Sequence, residues 1–165
     1  MRRVGLVSDT HGFWDDRLDA FFEDVDEIWH AGDIGSIELL DSLSKKKTTR
    51  AVFGNIDGGP LRHVAKPYLF FSCEEVSVLI SHIGGYPAKY DRLFLKLIDE
   101  YKPTLAIAGH SHILKVIFDR KKNLLFINPG AAGVSGFHNV RTAIRFVIDN
   151  DAIKDLEVGE WERSV

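Results

Sequence analysis

The sequence predicts an α/β protein in which two β-sheets pack on one another and helices cover their outer faces. Three observations carry that reading. Short apolar strands alternate with amphipathic helical stretches through the first half, which favours a largely parallel sheet. The last third reads mainly as strands. No repeat, low-complexity segment or linker divides the 165 residues, which are expected to form one domain.

The first strand is expected at residues 4–7, an apolar run that stops at the polar stretch Ser8-Asp9-Thr10-His11. An amphipathic helix follows at 17–22. Residues 27–31 read as a second strand, closed by Gly32-Asp33, and 37–46 as a helix with Leu39, Leu40 and Leu43 on one face. A third strand at 50–53 runs into Gly54-Asn55-Ile56-Asp57-Gly58-Gly59-Pro60. Residues 76–81 form the next strand and 93–101 a helix stopped by Pro103. Strands are then expected at 105–108, 114–118, 124–128 and 142–148.

Bulk properties narrow the function. A composition of 45% hydrophobic and 27% charged residues is that of an ordinary globular protein, and the net charge of −3 supplies no broad basic field for nucleic acid or an anionic membrane. Phosphate-bearing partners would be drawn by bound cations or a few basic side chains. The single cysteine, Cys73, excludes an intrachain disulfide framework and suits a reducing compartment. The apolar run after Arg2-Arg3 is too short for a signal peptide, and no run approaches the ~20 apolar residues of a membrane helix. A cytoplasmic location is expected.

Five apolar strands each end in a turn with metal-capable side chains: Asp9 and His11, then Asp33, Asn55, His82, and finally His110 and His112. Ligand sites of α/β sheets gather beyond the carboxyl ends of strands, so strands lying side by side would bring all seven groups to one sheet edge. Seven donors suffice for two ions sharing one carboxylate. Imidazoles with carboxylates and an amide, and no thiolate, suit manganese, iron, nickel or zinc, whereas an all-oxygen set would suit magnesium or calcium. Each piece alone is also an ordinary turn: Gly-Asp, Asn beside Gly, or Asp-x-His as a cap. Gly109-His110-Ser111-His112 is sharper, and the ordered set is more specific than any of its parts.

That set resembles the calcineurin-like metallophosphoesterase superfamily, and within it the small bacterial and archaeal phosphodiesterase branch. The matching stretches are Asp9-Thr10-His11-Gly12, Gly32-Asp33, Gly54-Asn55-Ile56-Asp57, Ser81-His82, Gly109-His110-Ser111-His112 and Asn128-Pro129-Gly130-Ala131. The resemblance implies a four-layer α/β/β/α sandwich of two mixed sheets flanked by helices. It implies two divalent metal ions, manganese first and Ni2+, Fe2+ or Zn2+ as alternatives. Asp9, His11 and His112 would hold the first ion, Asn55, His82 and His110 the second, and Asp33 would bridge them. Catalysis would then run through a hydroxide activated by the metals, with Asp33, Asn55 and His82 around it and no protein general acid assigned. The implied substrate is a small phosphoester, most simply a phosphodiester. A phosphomonoester or dinucleotide polyphosphate is the alternative within the superfamily, and a protein-interaction scaffold the alternative outside it. A homo-oligomer is compatible with the sequence.

Ile56 stands where many phosphatases of the superfamily carry a histidine that protonates the leaving oxygen; the small phosphodiesterase branch also lacks it. Losing a general acid costs about 10²–10⁴ in rate. If another residue supplies that proton, Asp57 and His138 are the first to consider. Ile83 stands between His82 and Gly84 where the family has glycine directly, and Ala131 replaces a common serine. The remaining residues take plainer roles. His30, inside an apolar strand, is expected to be a satisfied core histidine. Arg62 and His63 are placed in a loop, within reach of substrate phosphate or simply solvated. Lys45-Lys46-Lys47 reads as the cationic end of a helix. Phe13, Trp14 and Tyr86 serve a pocket rim or plain packing, and Trp161 lies in a charged tail.

Overall fold

The computed structural model describes residues 1–164. Its chain runs β1 (Arg2–Val7), α1 (Asp16–Phe21), β2 (Glu27–His30), α2 (Ile37–Lys46), β3 (Thr48–Ala51), α3 (Gly59–Val64), β4 (Tyr68–Cys73), β5 (Val76–Ser81), β6 (Gly85–Tyr86), β7 (Lys89–Tyr90), α4 (Arg92–Tyr101), β8 (Leu105–Ile107), β9 (Leu114–Asp119), β10 (Leu124–Pro129), β11 (Val140–Asp149) and β12 (Ala152–Glu162). One sheet has the order β12-β11-β1-β2-β3, the other β4-β5-β8-β10-β9, and β6-β7 form a small ribbon.

Side-chain alternation explains the layering. Val4, Leu6 and Trp29 of the first sheet meet Val78, Ile80, Leu105 and Ile107 of the second in one buried cluster. Trp29 sits edge-on to Phe71 of the opposite sheet, ring centroids 5.1 Å apart. The intervening residues point outward. Val7 and Ile28 pack under Leu18, Leu40, Leu43 and Leu61 of α1, α2 and α3. Leu79 and Ala106 pack under Phe94, Leu97 and Ile98 of α4. Strands covered on both faces read as unbroken apolar runs, and each fully buried Leu or Ile contributes roughly 1.5–3 kcal/mol. The result is the four-layer α/β/β/α sandwich.

Helix ends follow local chemistry. Asp15, Ser36 and Asp91 cap α1, α2 and α4 by accepting from backbone N–H groups of the first turn. Lys45 and Lys46 lie in the last turn of α2, and Lys46 Nζ reaches Asp19 at 2.9 Å, which fits the cationic helix end expected for that run. Lys102 closes α4 in a left-handed conformation before Pro103.

Four expectations need correction. The sheets are not largely parallel. Each has two parallel and two antiparallel pairings, because β4, β9 and β12 join by hairpins to their neighbours. Residues 59–64, expected as loop, form α3, with Pro60 at its start and Leu61 buried. β4 was not anticipated, although Tyr-Leu-Phe-Phe is a strand-forming run. Trp161 does not lie in a tail. It belongs to β12, edge-on to Phe21 at 5.5 Å. Among the described residues, no helix is long and apolar enough to cross a membrane.

Candidate metal centre

The seven candidate ligands do not share one sheet edge. β1, β2 and β3 deliver Asp9 and His11, Asp33, and Asn55; β5 and β8, of the other sheet, deliver His82 and then His110 and His112. The groups meet at the seam where the two sheets face each other. Parallel pairing within each sheet sets the loops at the same end, and sheet-on-sheet packing brings them together.

The loops are held in unusual backbone conformations. Asp9, His11, Asp33, His110 and His112 have φ of 55°, 47°, 54°, 69° and 61°. A non-glycine residue in this left-handed region costs about 1–3 kcal/mol and persists only where its surroundings hold it. The surroundings are visible. Asp9 N–H donates to Gly32 O at 2.9 Å, His11 N–H to Asp33 O at 3.0 Å and Gly12 N–H to Ile34 O at 2.7 Å, zipping the loop after β1 to that after β2. Asp57 ties in the loop after β3. Its Oδ2 accepts from Ile34 N–H (3.0 Å) and Gly54 N–H (2.8 Å), its Oδ1 from Gly35 N–H (2.9 Å). Close approach at Gly54 is required, since any side chain there would strike the Asp33 carboxylate. In the second sheet, Asn128 Nδ2 donates to Gly109 O (3.0 Å) and Ser111 Oγ (3.1 Å), fixing the turn that carries His110 and His112.

Two ligand groups result. Asp9, His11 and His112 each offer one atom within 4.8 Å of the others, and so do Asp33, His82 and His110. Asp33 also touches both groups: its Oδ2 lies 3.5 Å from His11 Nε2 and 3.3 Å from His82 Nε2. Ile56 N–H donates to its other oxygen at 3.1 Å, which fixes the rotation of the carboxylate. Asn55 lines the groove beside His82. Asp9 is fully buried; Oδ2 accepts from Ser8 Oγ–H (2.6 Å) and His110 N–H (3.0 Å), while Oδ1 faces His112 Nε2 at 3.2 Å. His82 Nδ1–H donates to Ala31 O at 2.8 Å, so the ring turns Nε2 toward the carboxylates.

Electrostatics follow from this mutual contact. Burial pushes Asp9 and Asp33 up, but His112 and His82 outweigh it and hold both carboxyls below their ordinary value. Burial likewise pushes His82 down, and Asp33 and Asp9 more than reverse it. Four buried side-chain atoms lack a hydrogen-bond partner among the described residues: Asp9 Oδ1, His11 Nε2, His82 Nε2 and His138 Nδ1. Leaving such atoms unpaired costs about 1–3 kcal/mol each. Three of them belong to the candidate ligands and face the same space. A mixed oxygen and imidazole set with unpartnered buried donors fits divalent cations.

The other singled-out residues fall into place. His30 is fully buried and satisfied: Gly32 N–H donates to Nδ1 at 3.1 Å, and Nε2–H donates to Thr10 Oγ1 at 2.9 Å. Burial lowers its pKa to about 4. Asp57 cannot serve as a proton donor to substrate, because three backbone N–H groups occupy its carboxylate. His138 Nε2–H donates to Gly133 O at 2.8 Å, and its ring packs edge-on against His112 at 5.1 Å. His63 is exposed on α3. Phe13 lies under the Arg141 guanidinium (4.5 Å), Trp14 Nε1–H donates to Asp19 (3.0 Å), and Tyr86 packs under Lys115 (4.4 Å), so each has a packing role. Ser8, Asp57 and Asn128 are the positioning residues that sequence reasoning missed. Asp57 and Asn128 lie inside the matched stretches, and their polar side chains in short turns were the available signal.

Comparison with known proteins agrees with this geometry. The family model for the calcineurin-like phosphoesterase superfamily domain matches residues 2–151. The chain is 33% identical over 139 residues to a protein of Methanocaldococcus jannaschii named a probable metallophosphoesterase, covering 79% of this chain and 68% of that one. A protein of the same description from Methanothermobacter thermautotrophicus is 29% identical over 141 residues, covering 79% and 77%. Among solved structures, an archaeal phosphodiesterase superposes with a TM-score of 0.73 at 19% identity, covering 94% of this chain and 99% of its own. Vps29 of Chaetomium thermophilum gives 0.74 at 10%, covering 98% and 97%; these two likenesses speak for the fold alone. With the ordered turns, the seam between two sheets and the matched model in agreement, this chain belongs to the calcineurin-like phosphoesterase superfamily.

Proposed function

We infer that the protein is a metal-dependent phosphodiesterase holding two divalent cations, Mn2+ first among them. One observation carries the reading: two ligand groups share the seam, and the Asp33 carboxylate reaches a member of each. Asp9, His11 and His112 would hold one cation, Asn55, His82 and His110 the other, with Asp33 between. Bound as a pair, such ions supply an acidified water and neutralise charge on the phosphoryl oxygens. The chain's own part is placement. Asp33 sets the spacing, Ala31 O fixes the His82 tautomer, and Ser8 and His110 N–H hold Asp9 in one rotamer. Ile56 offers no proton to a leaving group, which favours diesters with good leaving groups over alkyl monoesters. The scaffold alternative is disfavoured because a competent donor occupies every candidate ligand position.

The test is reconstitution of metal-free protein with manganese, elemental analysis, and rates on bis(p-nitrophenyl) phosphate and p-nitrophenyl phosphate. Two ions per chain and faster diester hydrolysis are expected. At most one ion at saturating manganese, or a faster monoester, overturns the corresponding half of the reading.

A further inference from the structure

A groove of about 430 Å³ opens directly from the candidate centre. Asn55 and His82 line it, together with Phe53, Ile83, Leu93 and Arg62. Its size is that of a small-molecule site. Two features, beside its contact with the candidate ligands, give it the chemistry of a substrate site.

The first is a fixed and unspent cation. Arg62 Nε–H donates to Asp57 O at 2.7 Å, and the guanidinium lies 4.6 Å over the Phe53 ring. Those contacts immobilise the group, and its two terminal nitrogens have no hydrogen-bond partner among the described residues. No carboxylate pairs with it among the described residues. The groove's one carboxylate, Asp91, is occupied in capping α4. In the larger depression beside Arg3 and Arg145, by contrast, both cations are already paired, with Asp26 and Glu157.

The second feature is apolar surface in water. Ile83 is 41% and Leu93 65% exposed. Ile83 directly follows the candidate ligand His82 in sequence, so part of the apolar wall is built into a turn that forms the centre.

We propose that this groove is the subsite for the retained organic group of a phosphodiester, that this group is apolar, and that Arg62 is a substrate-positioning residue that binds the phosphoryl oxygens. The proposal rests on the phosphodiesterase reading. A planar fork held flat on an aromatic ring matches two phosphoryl oxygens, which a lysine ammonium cannot reproduce. The group that is retained gains from a wall, which binds it alike in the ground state and the transition state and so lowers KM. A departing group gains instead from open solvent.

The experiment uses two diesters with one common leaving group, phenyl p-nitrophenyl phosphate and methyl p-nitrophenyl phosphate. The phenyl ester should show a KM lower by about tenfold at similar kcat. Leu93→Ser should erase that difference and leave the methyl ester unchanged. Arg62→Ala should raise KM for both about tenfold with kcat within about twofold, and Arg62→Lys should not restore it. Both residues are exposed, so the fold tolerates the changes. In parallel, diphenyl phosphate titrated into zinc-loaded protein should shift the amide resonances of Gly54, Ile83 and Leu93 and the Arg62 Nε–H. If hydrolysis proceeds with equal KM for both esters and no shifts appear at these positions, the groove assignment falls and the phosphodiesterase reading stands. If no diester is hydrolysed, that reading falls, and the diphenyl phosphate shifts still decide the groove.

Discussion

The two sheets bring different chemistry to the seam. The first carries every oxygen donor, Asp9, Asp33 and Asn55, with the single imidazole of His11; the second contributes imidazoles alone. Their frames differ as well. On the first sheet, backbone bonds and the Asp57 carboxylate lock three loops into one platform. The second sheet's turn hangs on Asn128 and on bonds across the seam, His110 N–H to Asp9 and His82 Nδ1–H to Ala31 O. The carboxylate side is thus a rigid anionic base, onto which the other sheet folds its histidines. Two buried like charges on one sheet need the countercharge of the opposite one, or of cations. The centre therefore couples the sheets and is not a feature of either.

The largest break in this division is Asp33→Asn. The substitution keeps the shape and removes the charge that touches both groups. Turnover should fall by about 10²–10³, a loss comparable to that of a single strong electrostatic group, and the content of both ions should drop. His110→Ala, on the imidazole side, should lower the occupancy of one ion and spare the other. His63→Ala, on the exposed face of α3, should stay within about twofold as the control for small effects. Rates at saturating manganese with elemental analysis decide it. Equal losses for Asp33→Asn and His63→Ala, or full metal content in Asp33→Asn, would contradict the platform role.

A smaller effect lies beneath the platform, at His30. It is neutral in the folded chain, with a pKa near 4 from burial, against about 6.5 unfolded. Between those values the unfolded chain binds the proton and the folded chain does not, so stability is lost as pH falls from 6.5 toward 4. The shift corresponds to about 3 kcal/mol at its full extent. Asp9 and Asp33, held low, give up their contribution only below their ordinary carboxylate range, and His82, held high, gives up its own only above 6.5. His138, also held low by burial, adds to the loss in the same window. Urea midpoints of the metal-free protein at pH 7 and pH 4.5 should differ markedly in the native sequence and far less in His30→Gln. An unchanged slope in that variant would assign the acid sensitivity elsewhere.

The comparison also explains what the sequence made legible. Strand-end turns with Asp, His and Asn stand out because their polar residues interrupt apolar runs, so the seven candidates and most elements could be read directly. That the turns belong to two sheets could not be read. Strand order is decided by long-range packing, and the periodicity of a strand covered on both faces does not reveal which neighbour covers it. β12 was hidden for a different reason. It is a charged edge strand whose alternation breaks where Asp155 takes φ 53° and the register with β11 shifts. Asp57 was read as a spare acid because a carboxylate in a turn looks the same whether it faces substrate or three amides.

The last effect concerns Ile56, which under the proposed mechanism stands near the leaving group. Its backbone N–H holds Asp33, while its side chain stands 48% exposed and has no proton to give. The two other donors considered are engaged: the Asp57 carboxylate by amides and His138 Nε2–H by Gly133 O. In the proposed reaction the departing oxygen would leave unprotonated or take its proton from water. Aryl oxides tolerate this and alkoxides do not, so the rate should fall steeply as leaving-group pKa rises. Ile56→His places a donor on the same turn without disturbing the N–H bond to Asp33. It should flatten the dependence, speeding the poorest leaving groups about tenfold, the low end of general-acid catalysis expected for an unoptimised ring. The best leaving groups, which need no proton, should hardly change. A series of substituted phenyl and alkyl diesters at one pH and one metal concentration reads both slopes. A flat series in the native chain, with chemistry shown to be rate-limiting, would mean that some other group protonates the leaving oxygen, and that the frame around Asp57 and His138 opens when substrate binds.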